Sequence, residues 1–122
     1  MSTKHFTKEV GGIPIIAIEG QADIYSAPRL KQEMIRLLEA GKTPFVIDLT
    51  MVEYIDSTAL GVLIGGLKRV KALDSNMPLI CPIPRIRKIF KITGLDKYFD
   101  IFQNETEAIE LLGEAQPAVA GT

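Results

Sequence analysis

The sequence YIDSTALGVL, at positions 54–63, is the stretch that decides the fold. The apolar run Phe45–Leu49 precedes it and has the composition of a buried parallel strand. Apolar residues then recur at helical spacing, which predicts a helix from Ser57 to about Leu73. Ser57 follows an acid, Asp56, at the start of this helix, where free backbone N–H groups and the helix dipole favour an oxyanion. The Ser57 hydroxyl is therefore well placed to accept a phosphoryl group.

Strand-like and helix-like segments alternate on both sides of this stretch. A glycine pair, Gly11-Gly12, predicts a tight hairpin turn near the N-terminus. A leading hairpin followed by alternating strands and helices predicts an α/β sandwich with a mainly parallel sheet. We expect one domain over residues 1–112 and a disordered tail, rich in Ala, Gly and Pro, over residues 113–122. The predicted strands are Lys4–Val10, Ile13–Ile18, Phe45–Leu49, Leu79–Cys81 and Tyr98–Phe102. The first predicted helix follows Ser26 as its N-cap, and the others begin at Ser57, Pro84 and Glu105.

The helix that follows Asp56 has two contrasting faces. One is an apolar stripe that we expect to pack on the sheet: Leu60, Leu63, Ile64, Leu67 and Val70. The other carries small, polar and basic residues with one valine: Ser57, Thr58, Gly61, Val62, Gly65, Lys68 and Arg69. Each glycine inside a helix costs roughly 1 kcal/mol against alanine. Two causes for Gly61, Gly65 and Gly66 stay open: close packing against a neighbour, or a flat surface for a partner beside Ser57, which an exposed Val62 favours.

The acids near Ser57 leave its role open. The Ser57 side chain can cap the helix, which contributes about 1 kcal/mol, or Asp56 can cap it and leave the hydroxyl outward. Asp23 is assigned to a loop, Gly20–Asp23, at the end of the second strand. Functional loops of parallel sheets gather at the carboxyl ends of strands, so Asp23 could approach Ser57. Asp48, at the end of its strand, is interpreted as a hydrogen-bonding group for the following loop.

Composition and motifs exclude several function classes. Fourteen basic residues against 15 acidic ones give a net charge of −1, so we expect no direct nucleic-acid partner. The chain has a single cysteine, Cys81, and we find neither an apolar run long enough to span a bilayer nor a signal peptide. These features predict a cytoplasmic protein without a membrane partner. One histidine and no His/Cys cluster offer no metal site. Cys81 and the aromatic residues Phe90, Tyr98, Phe99 and Phe102 are predicted to lie in the core.

Catalysis and nucleotide binding are also disfavoured. Ser57 at a strand-to-helix turn has the setting of a nucleophile elbow, but Ile55 and Ala59 stand where Gly-x-Ser-x-Gly requires glycines. His5, the only histidine, lies in the opening strand. The glycines of the helix match neither the dinucleotide-binding nor the phosphate-loop motif. We expect no enzyme and no cofactor.

The run Asp56-Ser57-Thr58-Ala59-Leu60-Gly61, following a strand ending in Val-Ile-Asp-Leu, resembles the signature of STAS domains, in particular the bacterial anti-sigma factor antagonists. The resemblance extends from the hairpin to about Leu112, with weaker matches at residues 18–23 and 92–95. It implies a mixed sheet with four helices and no catalysis by this chain. Ala59 stands where the family usually has glycine, and Gln21-Ala22 where it has an acid–apolar pair, which affects the surface that meets the partner.

The same resemblance implies a partner-switching function. Family members bind a serine-kinase anti-sigma factor when unphosphorylated and thereby release a sigma factor. The kinase phosphorylates the serine after the motif aspartate, here Ser57, and a PP2C-type phosphatase reverses this. Asp23 and Asp56 match acids that flank the phosphorylation site, and the partner-binding surface would be Asp23, Asp56, Ser57, Thr58, Gly61, Val62 and Gly65. The alternative is a STAS scaffold that is never phosphorylated, or a subunit of a stress-signalling or lipid-transport complex.

Overall fold

The computed structural model describes residues 3–115, which form a five-stranded sheet in the order β1-β2-β3-β4-β5 and four α-helices. The prediction of an α/β fold with a leading hairpin is confirmed. In chain order the elements are β1 (Lys4–Val10), β2 (Ile13–Ala22), α1 (Ala27–Glu39), β3 (Val46–Ile55), α2 (Ser57–Ala72), β4 (Leu79–Ile80), α3 (Pro84–Ile92), a short 3₁₀ turn (Leu95–Lys97), β5 (Ile101–Phe102) and α4 (Glu105–Ala115).

The sheet is mixed because only its first pair of strands is antiparallel. β1 and β2 form the hairpin, and β2, β3, β4 and β5 then pair in parallel. Gly11 and Gly12 adopt φ values of 60° and 81° in the hairpin turn, a conformation that glycine reaches without steric cost. Parallel neighbours require crossover connections, which the helices between them provide.

Helices cover both faces of the sheet. Consecutive strand residues point to opposite faces, so Ile16 packs with α1, α2 and α3 whereas Ile15 packs under α4. On α2 the predicted apolar stripe is buried, with Ile64 only partly so. No helix within residues 3–115 combines the length and hydropathy needed to cross a bilayer.

The central strands are longer than predicted. β2 runs to Ala22 and β3 runs to Ile55, so Gly20–Ala22 belongs to the sheet and not to a loop. Asp48 consequently lies inside β3, where its Oδ1 accepts from the backbone N–H of Thr50 at 2.9 Å. The polar residues at these strand ends concealed the extension, because this part of the sheet is buried on one face only and its other face is solvated.

The C-terminal half contains the other differences. The fifth strand is only Ile101–Phe102, and Tyr98, expected in the core, is 71% exposed. Phe90 and Phe99 are buried as predicted, with an edge-to-face ring contact at 5.9 Å, whereas Phe102 is only partly buried. Helix α4 continues past the predicted domain end at residue 112 as far as residue 115, and residues 116–122 of the expected tail lie outside the described residues.

Cys81 is buried as predicted, although it lies directly after β4 and not within the predicted strand Leu79–Cys81. Burial raises the pKa of its thiol above the ordinary value, because the charged thiolate is poorly solvated there. The side chain therefore behaves as a small apolar core residue.

Candidate functional site

Asp56 is the N-cap of α2. Its Oδ1 accepts a hydrogen bond from the backbone N–H of Ala59 at 3.0 Å, and its backbone carbonyl accepts from Leu60 at 3.0 Å. Of the two interpretations left open by the sequence, the structure therefore selects Asp56 as the cap. Ser57 is the first residue of the helix and is exposed, and its hydroxyl has no hydrogen-bond partner within residues 3–115.

The start of α2 offers free backbone donors beside this hydroxyl. Ala59 and Leu60 donate to Asp56, but the N–H groups of Ser57 and Thr58 have no acceptor among the described residues. Free donors and the positive end of the helix dipole stabilise an anion at this position. A phosphoryl group on Ser57 would therefore be compatible with the helix beneath it.

Asp56 also joins the loop that follows β2 to the start of α2. Its backbone N–H donates to the carbonyl of Ala22 at 3.0 Å, and its Oδ2 accepts from the N–H of Ile24 at 3.0 Å. Asp23 lies between these two bonded residues. The backbone of the loop that carries Asp23 therefore lies next to the turn that carries Ser57, as predicted.

Asp23 organises its own loop. Its Oδ1 accepts from the N–H groups of Tyr25 and Ser26, each at 3.0 Å. Ser26 is the residue before α1, as predicted, but its hydroxyl does not cap that helix. The Ser26 Oγ accepts from the N–H of Asp23 at 3.0 Å and donates to the carbonyl of Gln21 at 2.7 Å. The side chains therefore bond back toward β2 and hold the loop in one conformation.

The exposed face of α2 forms one wall of a groove. The groove has a volume of about 300 Å³ and runs between α1 and α2. Thr58, Gly61, Val62 and Gly65 line it from α2, four of the residues assigned to partner binding from sequence. From α1 it is lined by Lys31, Met34, Ile35 and Leu38, and Gly66 and Arg69 complete it.

The three glycines within α2 are explained by different structural features. A Cβ on Gly66 would lie 2.7 Å from the Sδ of buried Met34, so Gly66 is closely packed against α1 and a larger residue there would have to displace the Met34 side chain. A Cβ on Gly61 or Gly65 would meet nothing within 4 Å. Packing therefore explains one glycine, and the other two flatten the wall of the groove.

Three exposed apolar side chains near this site were missed by the sequence analysis. Tyr25 is 89% exposed and Ile24 56% exposed, both on the loop clamped to Asp56, and Tyr54 near the end of β3 is 50% exposed. Large apolar side chains in water are typical of binding surfaces. The sequence did contain a sign of this surface, because Ile24 and Tyr25 stand side by side after Asp23, outside every predicted strand and helix.

His5 lies on β1, opposite Ile18 of β2, and not at the β3–α2 turn. Its two ring nitrogens are buried without a hydrogen-bond partner within residues 3–115. Burial, together with Arg29, lowers the pKa of His5 below its ordinary value. Within the same residues, no three His, Cys, Asp or Glu side chains cluster as metal ligands.

Comparison with known proteins identifies the family. The family model of the STAS domain matches residues 6–108. An anti-sigma-B factor antagonist of Bacillus subtilis is 40% identical over 86 residues, which cover 70% of this chain and 78% of that protein. The fold is shared with an anti-sigma factor antagonist from Mycobacterium paratuberculosis (TM-score 0.84, 23% identity, 91% and 94% of the two chains). It is also shared with phosphorylated SpoIIAA of Bacillus (TM-score 0.72, 20% identity, 90% and 100%). This chain belongs to the STAS domain family, in the group of anti-sigma factor antagonists.

Proposed function

We propose that the chain is a phosphorylation-controlled anti-sigma factor antagonist. Unphosphorylated, it binds a serine-kinase anti-sigma factor in the cytoplasm, and a sigma factor is released. The kinase switches it off by phosphorylating Ser57, and a PP2C-type phosphatase restores it. The observation that carries the proposal is the exposed, unbonded Ser57 hydroxyl at the start of α2, adjoining the groove between α1 and α2.

The proposed binding surface consists of Asp23, Asp56, Ser57, Thr58, Gly61, Val62 and Gly65. We add Ile24, Tyr25 and Tyr54, because exposed aromatic and apolar side chains dominate the binding energy of protein interfaces. The relative in Bacillus subtilis, whose name describes antagonism of an anti-sigma-B factor, supports an anti-sigma factor as the partner.

Electrostatics explains how a phosphoryl group would end the interaction. It adds about −1.5 to −2 charges at neutral pH. That charge would lie beside Asp56 and near the Asp23 loop, facing a partner surface that had contacted a neutral hydroxyl. An unpaired charge in an interface costs about 2–5 kcal/mol, which is a loss of affinity of roughly 30-fold or more.

The fold itself should tolerate the modification. The free N–H groups of Ser57 and Thr58 would interact favourably with the phosphoryl anion, and Asp56 already caps the helix. SpoIIAA in its phosphorylated form retains this fold. The switch therefore needs a change of surface charge and no rearrangement of the domain.

Substitutions at Ser57 separate charge from size. Against the serine-kinase anti-sigma factors encoded in the same genome, calorimetry should give unchanged binding for Ser57→Ala and a loss of about 30-fold or more for Ser57→Asp. Ser57→Asn, which matches aspartate in size without its charge, should stay much closer to the original chain. Equal binding by the Asp and Ala variants would leave the alternative, a STAS scaffold or complex subunit in which Ser57 is not phosphorylated.

A further inference from the structure

A second groove is lined by residues of α3 and of the last strand, β5. It has a volume of about 640 Å³ and lies between α3 and the edge strand β5. Pro82, Phe99 and Ile101 supply apolar lining. None of the residues assigned to the Ser57 surface lines it.

The rim of this groove is positively charged. Arg87, Lys88 and Lys91 line it from α3, against a single acid, Asp96. No carboxylate of the described residues lies within ion-pair distance of these three cations. Arg85 of the same helix donates from Nη1 to the carbonyl of Glu53 at 2.7 Å, and Arg87 donates from Nη1 to the carbonyl of Cys81 at 3.5 Å. Lys88 and Lys91 are therefore the rim cations without a hydrogen-bond partner within residues 3–115. Three cations on one short helix, in a chain of net charge −1, are a local concentration of charge that complements an acidic ligand.

Ile101, which lines the groove, belongs to β5 at the edge of the sheet. The carbonyls of Asp100 and Phe102 accept from Leu79 and Cys81 at 2.9 Å and 2.8 Å, so both point toward β4. Successive residues of a strand point their backbone groups in opposite directions. The N–H and C=O of Ile101 therefore point away from β4, along the outer edge of the sheet within residues 3–115.

These two features together select the class of ligand. A free N–H and C=O pair on a strand edge matches the backbone of an extended peptide, which can add as a further strand. A phosphodiester, in a nucleic acid or in a phospholipid, offers acceptors but no N–H donor for the carbonyl of Ile101. Acidic side chains on the added segment would reach Lys88 and Lys91 on the rim.

We infer that the groove between α3 and β5 is a second protein-docking site, which binds an extended acidic segment of a partner along Ile101 and against Arg87, Lys88 and Lys91. The site does not depend on the Ser57 switch. A partner held here remains bound when Ser57 is phosphorylated.

The test uses the full chain and a synthetic peptide of alternating glutamate and threonine, about eight residues long to match a strand. We expect saturable binding by fluorescence anisotropy and slower hydrogen exchange at the Ile101 amide, with little change at Phe102, whose N–H already faces β4. Lys88→Gln with Lys91→Gln should weaken binding about tenfold. Lys4→Gln with Lys71→Gln is the matched control, since it removes the same charge and likewise one cation from the last turn of a helix.

Several results would overturn the inference. If a glutamine–threonine peptide bound as tightly as the glutamate–threonine peptide, ion pairing would not explain the binding. The same would follow if the two double variants bound the glutamate–threonine peptide equally well. Binding without protection of Ile101 would show diffuse ionic attraction and no strand addition. Tighter binding of a single-stranded oligonucleotide or of phosphatidylglycerol vesicles would assign the groove to another ligand. Ser57→Asp should bind the peptide like the original chain, so failure here is distinguishable from failure of the proposed switch.

Discussion

Asp56 bonds through its two carboxylate oxygens to backbone N–H groups on different segments. Oδ1 caps α2 at Ala59, and Oδ2 holds Ile24 in the loop after β2. The residue beside Ser57 therefore shapes the loop that carries Asp23. This is a physical reason for an acid at this position that does not involve the phosphoryl group.

Replacing Asp56 by alanine should remove both bonds. We expect a loss of about 1 kcal/mol in the free energy of unfolding, the usual cost of a lost cap. Urea denaturation measures the loss, and hydrogen exchange should quicken at Ala59 and Ile24 together. Asp56→Asn keeps the acceptor at Oδ1 and should stay closer to the original stability. Faster exchange at Ala59 alone would show that the Ile24 bond does not hold the loop.

Tyr25 should be a major contributor to partner binding. Its side chain is 89% exposed on the clamped loop, so its removal changes the surface and not the core. Tyr25→Ala should weaken binding of the anti-sigma factor about tenfold or more, while stability stays within about 0.5 kcal/mol. Tyr98→Ala is the control, because Tyr98 is comparably exposed at 71% but lies after the 3₁₀ turn. Equal losses from both variants would contradict the assignment of the surface.

At the scale of the helix, alanine substitutions at the three glycines of α2 should have different effects on the free energy of unfolding. Gly61→Ala and Gly65→Ala fill open space, so each should stabilise the chain by up to about 1 kcal/mol while narrowing the groove and weakening partner binding. Gly66→Ala should bring no gain, because the new Cβ displaces the buried Met34 side chain and overpacking costs about 1–3 kcal/mol.

Thermal or urea unfolding of the three single variants measures this contrast. Stabilisation by Gly66→Ala equal to that by Gly65→Ala would show that α1 does not press on α2 at this point. Unchanged partner binding by both Gly61→Ala and Gly65→Ala would mean that the groove wall is not part of the interface.

The helices were predicted more accurately than the strands, because helix and turn signals lie within a few neighbouring residues. The apolar stripe of α2 and the turn at Gly11-Gly12 are encoded by spacing and by φ preference within a few residues. The true ends of β2 and β3 are not, because Gln21 and Glu53 look like loop residues until the two strands pair and their side chains bond at 3.3 Å. Pairing partners distant in sequence cannot be read from one segment.

For the molecule as a whole, His5 should make stability depend on pH near neutrality. Burial and Arg29 lower its pKa in the folded state, whereas Glu33 acts in the opposite direction. The unfolded chain, with the ordinary value of 6.5, therefore binds more protons than the folded chain as pH falls through this range. The free energy of unfolding should decrease as pH falls below about 6.5 toward the lowered pKa.

Urea denaturation between about pH 7 and 5.5 tests this, with His5→Phe as the non-titrating variant of similar size. The variant should show a flatter dependence on pH in that window. Glu33, whose pKa is lowered chiefly by its bond to Arg36, loses its contribution only below the ordinary value of 4.5, so the two effects are separable. An identical slope in both proteins would exclude His5 as the source.

The site could be predicted from sequence only in part. The motif around Ser57 located the serine and the exposed face of α2, because both follow from one helix and its first residue. The second wall of the groove, from Lys31 to Leu38 on α1, and the clamp between Asp56 and Ile24 required the tertiary arrangement. Whether Asp56 or Ser57 caps α2 was likewise open until the geometry was known.

The most direct test compares the phosphorylated and unphosphorylated chain with the same anti-sigma factor. Incubation with the kinase and ATP, followed by mass spectrometry, should place one phosphoryl group on Ser57, and calorimetry should then show a loss of affinity of about 30-fold or more with the melting temperature preserved. Full affinity after stoichiometric phosphorylation of Ser57 would contradict the account, as would a loss of affinity that only accompanies unfolding.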